Sequence, residues 1–225
     1  MAHKSNSLAP ETLAAQALRH INPTCGSVGP GIVATSTFPP DEHYALADGS
    51  IYARYGSPTT AHAEEIIATL EGAEESLLVN SGMSASVTVV ESLPPNAHVV
   101  AQSMMYHVGV HWLERQAQRG VIRKDLFPAG DLDALKAALI PGETKLVWIE
   151  TPANGDWTLT DIAAAAELAH SVGAVLMVDS TAAPPCTTKP LDLGADISFH
   201  SATKYMGGHS DFTAGVLSAR KDMPL

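Results

Sequence analysis

Lys204 stands at the centre of the stretch that is richest in residues able to do chemistry, His200-Ser-Ala-Thr-Lys-Tyr-Met-Gly-Gly-His-Ser-Asp211. This stretch follows a run typical of a β-strand, residues 196–200, so Lys204 is predicted to lie where a strand ends and a polar loop begins. A lysine amine there can attack a carbonyl carbon, and neighbouring hydroxyls can hold a phosphate on the same molecule. The simpler alternative is a loop lysine that points into water.

Alternating helices and strands are predicted from Thr60 onward. The predicted strands are continuous apolar runs, which indicates a mostly parallel sheet covered by helices on both faces, an α/β fold. The predicted strands are 76–80, 98–101, 145–150, 174–179, 196–200 and 214–219. The predicted helices are 63–70, ended by Gly72, 82–93, 108–120, a segment capped by Asp131, and one that is capped by Thr160 and ends at Gly173.

Polar residues follow several of these strands at the point where each one ends. They are Ser81, Glu150 with Asn154, Asp179, and residues 201–204. Ligands of parallel α/β sheets bind outside the carboxyl ends of the strands. We therefore expect these side chains to meet at one rim of the sheet.

Two of these positions have a specific chemical use. A strand that turns through Ser81-Gly82-Met83 into a helix offers free backbone N–H groups to a phosphate, although a plain turn would have the same pattern. Asp179 ends an apolar strand, where a carboxylate needs a cationic partner such as a protonated ring nitrogen. An N-cap role is the alternative for Asp179.

Together with Tyr106, whose ring could stack on a cofactor, these features match the needs of pyridoxal phosphate: an amine, a phosphate site, a carboxylate and an aromatic ring. The sequence resembles the pyridoxal-phosphate enzymes of cysteine and methionine metabolism, the family of cystathionine γ-synthase, cystathionine γ-lyase, cystathionine β-lyase and methionine γ-lyase. The resemblance covers residues from about Thr35 to the end. Its motifs are Tyr52-Ala-Arg-Tyr-Gly-Ser-Pro-Thr59, Leu70-Glu-Gly-Ala-Glu74, Ser81-Gly-Met83, Glu150-Thr-Pro-Ala-Asn154, Val178-Asp-Ser-Thr181, and residues 190–196 with 200–211.

The resemblance implies a role for each matching residue. Lys204 would form the internal aldimine and act as a base, and Asp179 would keep the pyridine nitrogen protonated. Tyr106 would stack on the ring and help to move protons. Further cofactor-binding positions implied by the family are Asn154 near the phenolic oxygen, Gly82, Met83, Ser201 and Thr203 at the phosphate, and Tyr52 and Arg54 at the phosphate of a neighbouring subunit.

The resemblance also implies the domain organisation. Residues 1–60, with one short helix predicted over 10–20, would form an N-terminal arm that contacts another subunit. Residues 61–225 would form the pyridoxal-phosphate-binding large domain of fold type I. The family's small C-terminal domain, which carries the arginine for the substrate carboxylate, is expected to be missing from this chain. A homo-oligomer with shared sites, a dimer or a tetramer, is expected.

The implied reaction is elimination or replacement at the γ (or β) carbon of a sulfur-containing or homoserine-type amino acid. Two alternatives stay open: a non-catalytic or incomplete pyridoxal-phosphate-binding subunit, and a transaminase. His107, Gly155 and Ser180 depart from the family pattern, and His107 lies beside the expected substrate pocket. His107 and His111 have helical metal-site spacing, but no third ligand is apparent, so no metal is predicted.

Composition excludes several classes of partner. The 225-residue chain has 45% hydrophobic and 16% charged residues, which is typical of a globular protein, and its formal net charge is −11. That charge repels nucleic acid and anionic lipid, so neither is expected as a partner. No signal peptide or membrane-spanning run is recognised, and a cytoplasmic location is expected. Cys25 and Cys186 are expected to be free, buried thiols.

Overall fold

The computed structural model describes residues 8–16, 18, 20–23, 25–46 and 51–220. The chain divides into two compact units, residues 1–70 and residues 71–225. The first unit contains helix α1 (Pro10–Gln16) and all but the last residue of helix α2 (Pro58–Glu71). The helix predicted over 10–20 is confirmed over Pro10–Gln16.

Irregular backbone fills most of the first unit between its helices. An antiparallel bridge joins Thr37 to Tyr52 within this backbone. Helix α2 begins after Ser57, whose hydroxyl accepts the Thr60 N–H at 3.2 Å, as an N-cap does. Large apolar side chains such as Val28 and Ile32 are exposed there, so this segment has little core of its own.

The second unit is built on a seven-stranded sheet in the order β1-β7-β6-β5-β4-β2-β3. Strand β7 runs antiparallel to both of its neighbours, and the other pairs are parallel. The mostly parallel α/β sheet predicted from the apolar runs is therefore confirmed. The strands are β1 (Glu75–Val79), β2 (His98–Gln102), β3 (Arg123–Phe127), β4 (Thr144–Glu150), β5 (Val175–Asp179), β6 (Ile197–His200) and β7 (Gly215–Ala219).

Alternate residues of each central strand enter different apolar layers, because side chains alternate between the two faces of a sheet. In β5, Met177 belongs to the layer that also contains Ala85 and Leu113. Its neighbour Val178 belongs to the layer that contains Leu135 and Ala165. The helices that supply these layers are α3 (Gly82–Glu91) and α4 (His107–Gln118) on one face, and α5 (Leu132–Ala138) and α6 (Ile162–Ser171) on the other.

Helix caps agree with the sequence at α5 and differ at α6. Asp131 caps α5 as predicted, with its carboxylate accepting the Ala134 N–H at 2.8 Å. The prediction that Thr160 caps α6 is wrong: Asp161 is the cap and accepts the Ala164 N–H at 3.0 Å. The two residues are adjacent and both have capping side chains, so the pattern alone does not separate them.

The structure adds one strand to the predicted sheet and corrects one further prediction. Strand β3 was not predicted, because Arg123–Phe127 is a polar edge strand that pairs only with β2 and lacks an apolar run. Both cysteines are free, but Cys25 and Cys186 are exposed rather than buried. Cys25 lies in the irregular part of the first unit, and Cys186 follows two prolines in a loop after β5. Neither cysteine lies in a helix or strand that packs into the core.

Candidate active site

The carboxyl ends of the parallel strands meet at one edge of the sheet, and a cavity of about 600 Å³ opens there. It lies where the sequence predicted a rim of polar residues. The predicted site residues that line this cavity are Gly82, Met83, Tyr106, Asn154, Asp179, Ser201, Thr203 and Lys204. The first and last of them, Gly82 and Lys204, lie 122 positions apart in the chain, and the sheet brings them together.

The first turn of α3 forms one wall of the cavity. Ser81 has extended backbone and caps the helix, with its hydroxyl accepting the Ser84 N–H at 3.1 Å. A Cβ atom added to Gly82 would lie 2.8 Å from the Cβ atom of Ser201. Only glycine allows this close approach between the helix start and the loop after β6, which suits a cradle for a phosphate.

Gly215 makes a second close approach that the sequence did not single out. A Cβ atom at this first residue of β7 would lie 2.1 Å from the carbonyl oxygen of Ser81. The turn that enters α3 therefore rests directly on the β7 backbone. A glycine at the start of a strand is a known sign of such close packing and could have indicated it.

Asp179 ends β5 in a buried position on the cavity wall. Its carboxylate accepts the Thr181 N–H at 2.9 Å, and the Thr181 hydroxyl accepts the Ser201 N–H at 2.8 Å. Burial raises the pKa of Asp179, and the hydrogen bonds from Thr181 and the nearby His200 offset only part of this effect. A cation in the cavity would stabilise the ionised carboxylate. Thr181 belongs to one of the matching motifs but is not among the predicted site residues.

Glu150 ends the adjacent strand β4 and was also missing from the predicted site residues. Its carboxylate accepts the backbone N–H of Tyr106 at 2.6 Å and that of Asn154 at 2.5 Å. Burial, followed by repulsion from Asp179, raises the pKa of Glu150 to about 7. The sequence signal for this position is a carboxylate at the end of an apolar strand, whereas its place beside Asp179 is seen only in the sheet.

The lysine lies on the loop that follows β6. The Lys204 N–H donates to the Ser201 carbonyl at 3.0 Å, and the Gly208 N–H donates to the Lys204 carbonyl at 2.8 Å. Thr203 anchors the loop, since its hydroxyl accepts the Ala214 N–H at 3.1 Å. The Lys204 side chain is exposed at the cavity, where its amine can reach a bound molecule.

Tyr106 immediately precedes α4 and lines the same cavity with an exposed ring. Its ring centroid lies 5.3 Å from that of His107, which in turn lies 6.2 Å from His111. No group of three side chains able to hold a metal ion is found within the described residues. In the same part of the chain, no helix is long and apolar enough to cross a membrane.

Tyr52 and Arg54 belong to the first unit. The Arg54 guanidinium carbon lies 5.1 Å from the ring centroid of Tyr52 and 5.3 Å from that of Tyr55. Both distances are typical of cation–π contacts. The arginine that was expected to meet a phosphate is thus held between two tyrosine rings.

The combination of a strand-end lysine, a buried carboxylate and a glycine-lined helix start is that of a pyridoxal-phosphate-binding α/β protein of fold type I. The family described as Cys/Met metabolism PLP-dependent enzyme matches residues 11–224. The chain therefore belongs to this family, whose cofactor is pyridoxal phosphate, as its motifs predicted.

Individual relatives agree with this membership. The cystathionine gamma-synthase of Mycobacterium tuberculosis is 38% identical over 209 residues, which cover 92% of this chain and 54% of that protein. The L-methionine gamma-lyase of Treponema denticola is 38% identical over 208 residues, covering 88% and 51%. The crystal structure of cystathionine gamma synthase from Xanthomonas oryzae pv. oryzae in complex with cystathionine has a TM-score of 0.89 at 34% identity, covering 96% and 55%. The chain thus spans about half the length of these relatives.

The cavity fits this cofactor on its own chemistry. Lys204 offers an amine, Asp179 offers a buried carboxylate whose pKa is raised by burial, and the start of α3 at Gly82 lies directly against Ser201. These groups match the aldehyde, the ring nitrogen and the phosphate of pyridoxal phosphate.

Proposed function

We propose that this chain is the cofactor-binding part of an enzyme that eliminates or replaces a group at the γ (or β) carbon of a sulfur-containing or homoserine-type amino acid. The observation that carries the proposal is the convergence of Lys204, Asp179 and the Gly82–Ser201 approach on one cavity. Two of the relatives reported above are named for gamma-synthase and gamma-lyase reactions, which favours γ chemistry.

Binding of the cofactor would use groups from five segments. The N–H groups of Gly82 and Met83, with the hydroxyls of Ser201 and Thr203, would hold the phosphate at the positive end of α3. Asn154 would lie beside the phenolic oxygen. The cofactor, when bound, supplies an electron sink for charge that develops on the substrate's α carbon.

Three side chains would act on protons and charge. The Asp179 carboxylate would keep the ring nitrogen protonated, because a buried carboxylate is most stable beside a cation. The Lys204 amine would hold the cofactor and, once displaced by substrate, take the proton from the substrate's α carbon as general base. Tyr106 would stack on the ring and help to move protons.

The first unit would complete the site in an assembly. Tyr52 and Arg54 would reach the phosphate of a neighbouring subunit, which requires a homo-oligomer, a dimer with shared sites or a tetramer. Arg54 suits this use because its planar guanidinium can form two parallel hydrogen bonds to a phosphate. We place the assembly in the cytoplasm.

Lys204→Ala tests the cofactor role. Wild-type chain mixed with pyridoxal phosphate should gain a visible absorbance band, and borohydride reduction should fix the cofactor on the peptide that contains Lys204. Lys204→Ala should lose both signals, whereas Lys136→Ala, at an exposed position of α5, should keep them. Equal absorbance from Lys204→Ala, or label on another lysine, would contradict the assignment.

A second candidate is a non-catalytic or incomplete cofactor-binding subunit that needs a further domain or partner chain for activity. The chain spans about half the length of each of these relatives. Assays of the 225-residue chain with cystathionine, methionine and O-acylhomoserines for ketoacid release separate the two candidates. Turnover refutes the second candidate, normal cofactor loading without turnover supports it, and formation of pyridoxamine phosphate would instead indicate transamination.

A further inference from the structure

Two carboxylates share the cavity wall. Glu150 and Asp179 end the neighbouring parallel strands β4 and β5 and are register partners. Both side chains line the cavity, and each residue is only 6% exposed. Two buried like charges in adjacent positions raise the free energy of the doubly ionised state, so at least one carboxylate tends to keep a proton.

Glu150 also holds two loops in place. Its Oε2 atom accepts the Tyr106 N–H and its Oε1 atom accepts the Asn154 N–H, at 2.6 and 2.5 Å. Both partners are donors, so an ionised carboxylate, which only accepts, suits them best. A proton on either oxygen adds a third donor to the group and weakens one of the two bonds. The geometry of the loops thus favours the ionised form, whereas burial and Asp179 favour the protonated form.

Other charged and titratable groups on the cavity are few among the described residues. Lys204 and Tyr205 face it from the loop after β6, and Tyr106 faces it from the segment before α4. His200 lowers the pKa of Asp179 from the end of β6 but is too weak an influence to offset burial. The Lys204 amine is exposed to solvent, so among these groups the buried His200 is the one whose charge partly offsets the burial of Asp179.

We propose that Glu150 is a positioning residue of the cofactor site, and that it releases its proton when a protonated pyridine ring pairs with Asp179, strengthening its hold on the Tyr106 and Asn154 loops. The proposal rests on the pairing of Asp179 with the ring nitrogen and is independent of turnover. The ring cation neutralises the charge of Asp179, which removes the repulsion that disfavours an ionised Glu150. The O–H bond of Glu150 breaks and its proton passes to the buffer.

Proton release is measurable with pyridoxine 5′-phosphate, which carries the ring nitrogen and the phosphate but no aldehyde. Titration calorimetry of the 225-residue chain at pH 7, in PIPES and in HEPES, gives the number of protons released because the two buffers differ in ionisation enthalpy. Burial and repulsion from Asp179 raise the pKa of Glu150 to about 7, so part of the chains carry its proton at this pH. Wild type should therefore release more protons per chain than Glu150→Gln.

Protons from the probe's own ring and phosphate are common to both proteins and cancel, so the difference reports the protons of the Glu150–Asp179 pair, which titrates as one unit. Glu167→Gln, at an exposed position of α6, is the matched control and should release as many protons as wild type. Equal proton release by wild type and Glu150→Gln overturns the inference while leaving the cofactor site intact. Absence of any binding heat in wild type contradicts the proposed cofactor role and this inference together.

A second measurement needs no variant and covers the case in which Glu150→Gln does not fold. Infrared difference spectra of the wild-type chain near pH 6.5 should show loss of a protonated carboxyl C=O band when pyridoxine 5′-phosphate is added. Hydrogen exchange should slow at the Tyr106 and Asn154 amides under the same conditions. An unchanged carboxyl band, or unchanged exchange at both amides, overturns the inference.

Discussion

At the scale of single residues, the Glu150 carboxylate lowers the stability of the fold by its burial and at the same time positions two loops of the proposed site. Its carboxylate is buried beside Asp179, yet it accepts hydrogen bonds from both neighbouring loops. Residues with strongly shifted pKa values are over-represented in functional sites, because those sites hold charged groups close together for a ligand. The same perturbation links protein stability to pH.

Glu150→Gln should flatten the pH dependence of stability. Burial and repulsion from Asp179 raise the pKa of Glu150 in the native chain from its ordinary value of 4.5 to about 7. The native chain therefore keeps this proton at pH values where the unfolded chain has lost it. The free energy of unfolding should therefore fall as pH rises through this window, by up to about 1.4 kcal/mol per pH unit, and the variant should lose that slope. Urea unfolding of cofactor-free protein at several pH values between 5 and 7.5 measures it. An unchanged slope in the variant would assign the pH dependence to other groups.

Gly82→Ala should weaken cofactor binding. The added Cβ atom would lie 2.8 Å from the Ser201 Cβ atom, so the loop after β6 must shift at the predicted phosphate site. Overpacking of this kind costs about 1–3 kcal/mol, which corresponds to roughly 5- to 150-fold in the dissociation constant of pyridoxal phosphate. Gly29→Ala is the control, since its added Cβ meets no atom within 4 Å. If Gly82→Ala bound pyridoxal phosphate as tightly as wild type, the proposed phosphate site at Gly82 would be refuted.

At the scale of elements, the site depends on how closely β7 approaches the start of α3. Strand β7 is antiparallel to both neighbours, so its first residue lies at the same edge as the carboxyl ends of the other strands. Gly215 is that residue, and it touches the Ser81 carbonyl that begins α3. The turn that we propose binds phosphate is thus supported by a strand that is distant in sequence.

Gly215→Ala should destabilise the second unit as well as the site. Its added Cβ would meet backbone atoms at 2.1 and 2.6 Å, which cannot rotate away as a side chain can. We expect a loss of about 3 kcal/mol or more in the free energy of unfolding, the upper end of overpacking costs. Denaturant unfolding with Gly29→Ala as control checks this, and a loss below 1 kcal/mol would mean that α3 can move off β7 at little cost.

At the scale of the whole molecule, one buried contact joins residues that are 129 positions apart. The Glu71 carboxylate lies 2.5 Å from the His200 imidazole, and both side chains are almost fully buried. Glu71 begins the second unit, and His200 ends the strand that leads to Lys204. The contact therefore ties the start of this unit to the lysine loop.

Glu71→Ala should be among the most destabilising changes in the chain. It leaves the His200 imidazole buried without its acid partner, and removal of one member of a buried pair costs about 3–5 kcal/mol. Thermal and denaturant unfolding measure the loss. Glu75→Ala, at an exposed position of β1, should stay within about 0.5 kcal/mol of wild type. A similarly small effect of Glu71→Ala would show that His200 finds another partner.

Much of the architecture was predictable because apolar runs mark buried parallel strands directly. The edge strand β3 was not predicted, since its polar residues are as typical of a loop as of a strand. The cap of α6 was predicted one residue early because Thr160 and Asp161 both have side chains able to cap a helix. The thiols were misjudged because cysteine is usually buried, whereas these two lie in irregular segments. Each error arose where local sequence carries no information about the neighbours in space.

The sequence by itself determined the family and its cofactor, and it predicted the residues that would hold the cofactor, because those residues lie in short motifs that can be read along the chain. The tertiary structure alone decided which carboxylates lie together, that Glu150 binds the Tyr106 and Asn154 loops, and that Gly215 supports the turn into α3. Burial and contact between distant segments depend on how strands are ordered in the sheet. That order places β4 beside β5 and β7 beside β1, and thereby makes Glu150 an acid with a raised pKa and Gly215 an indispensable glycine.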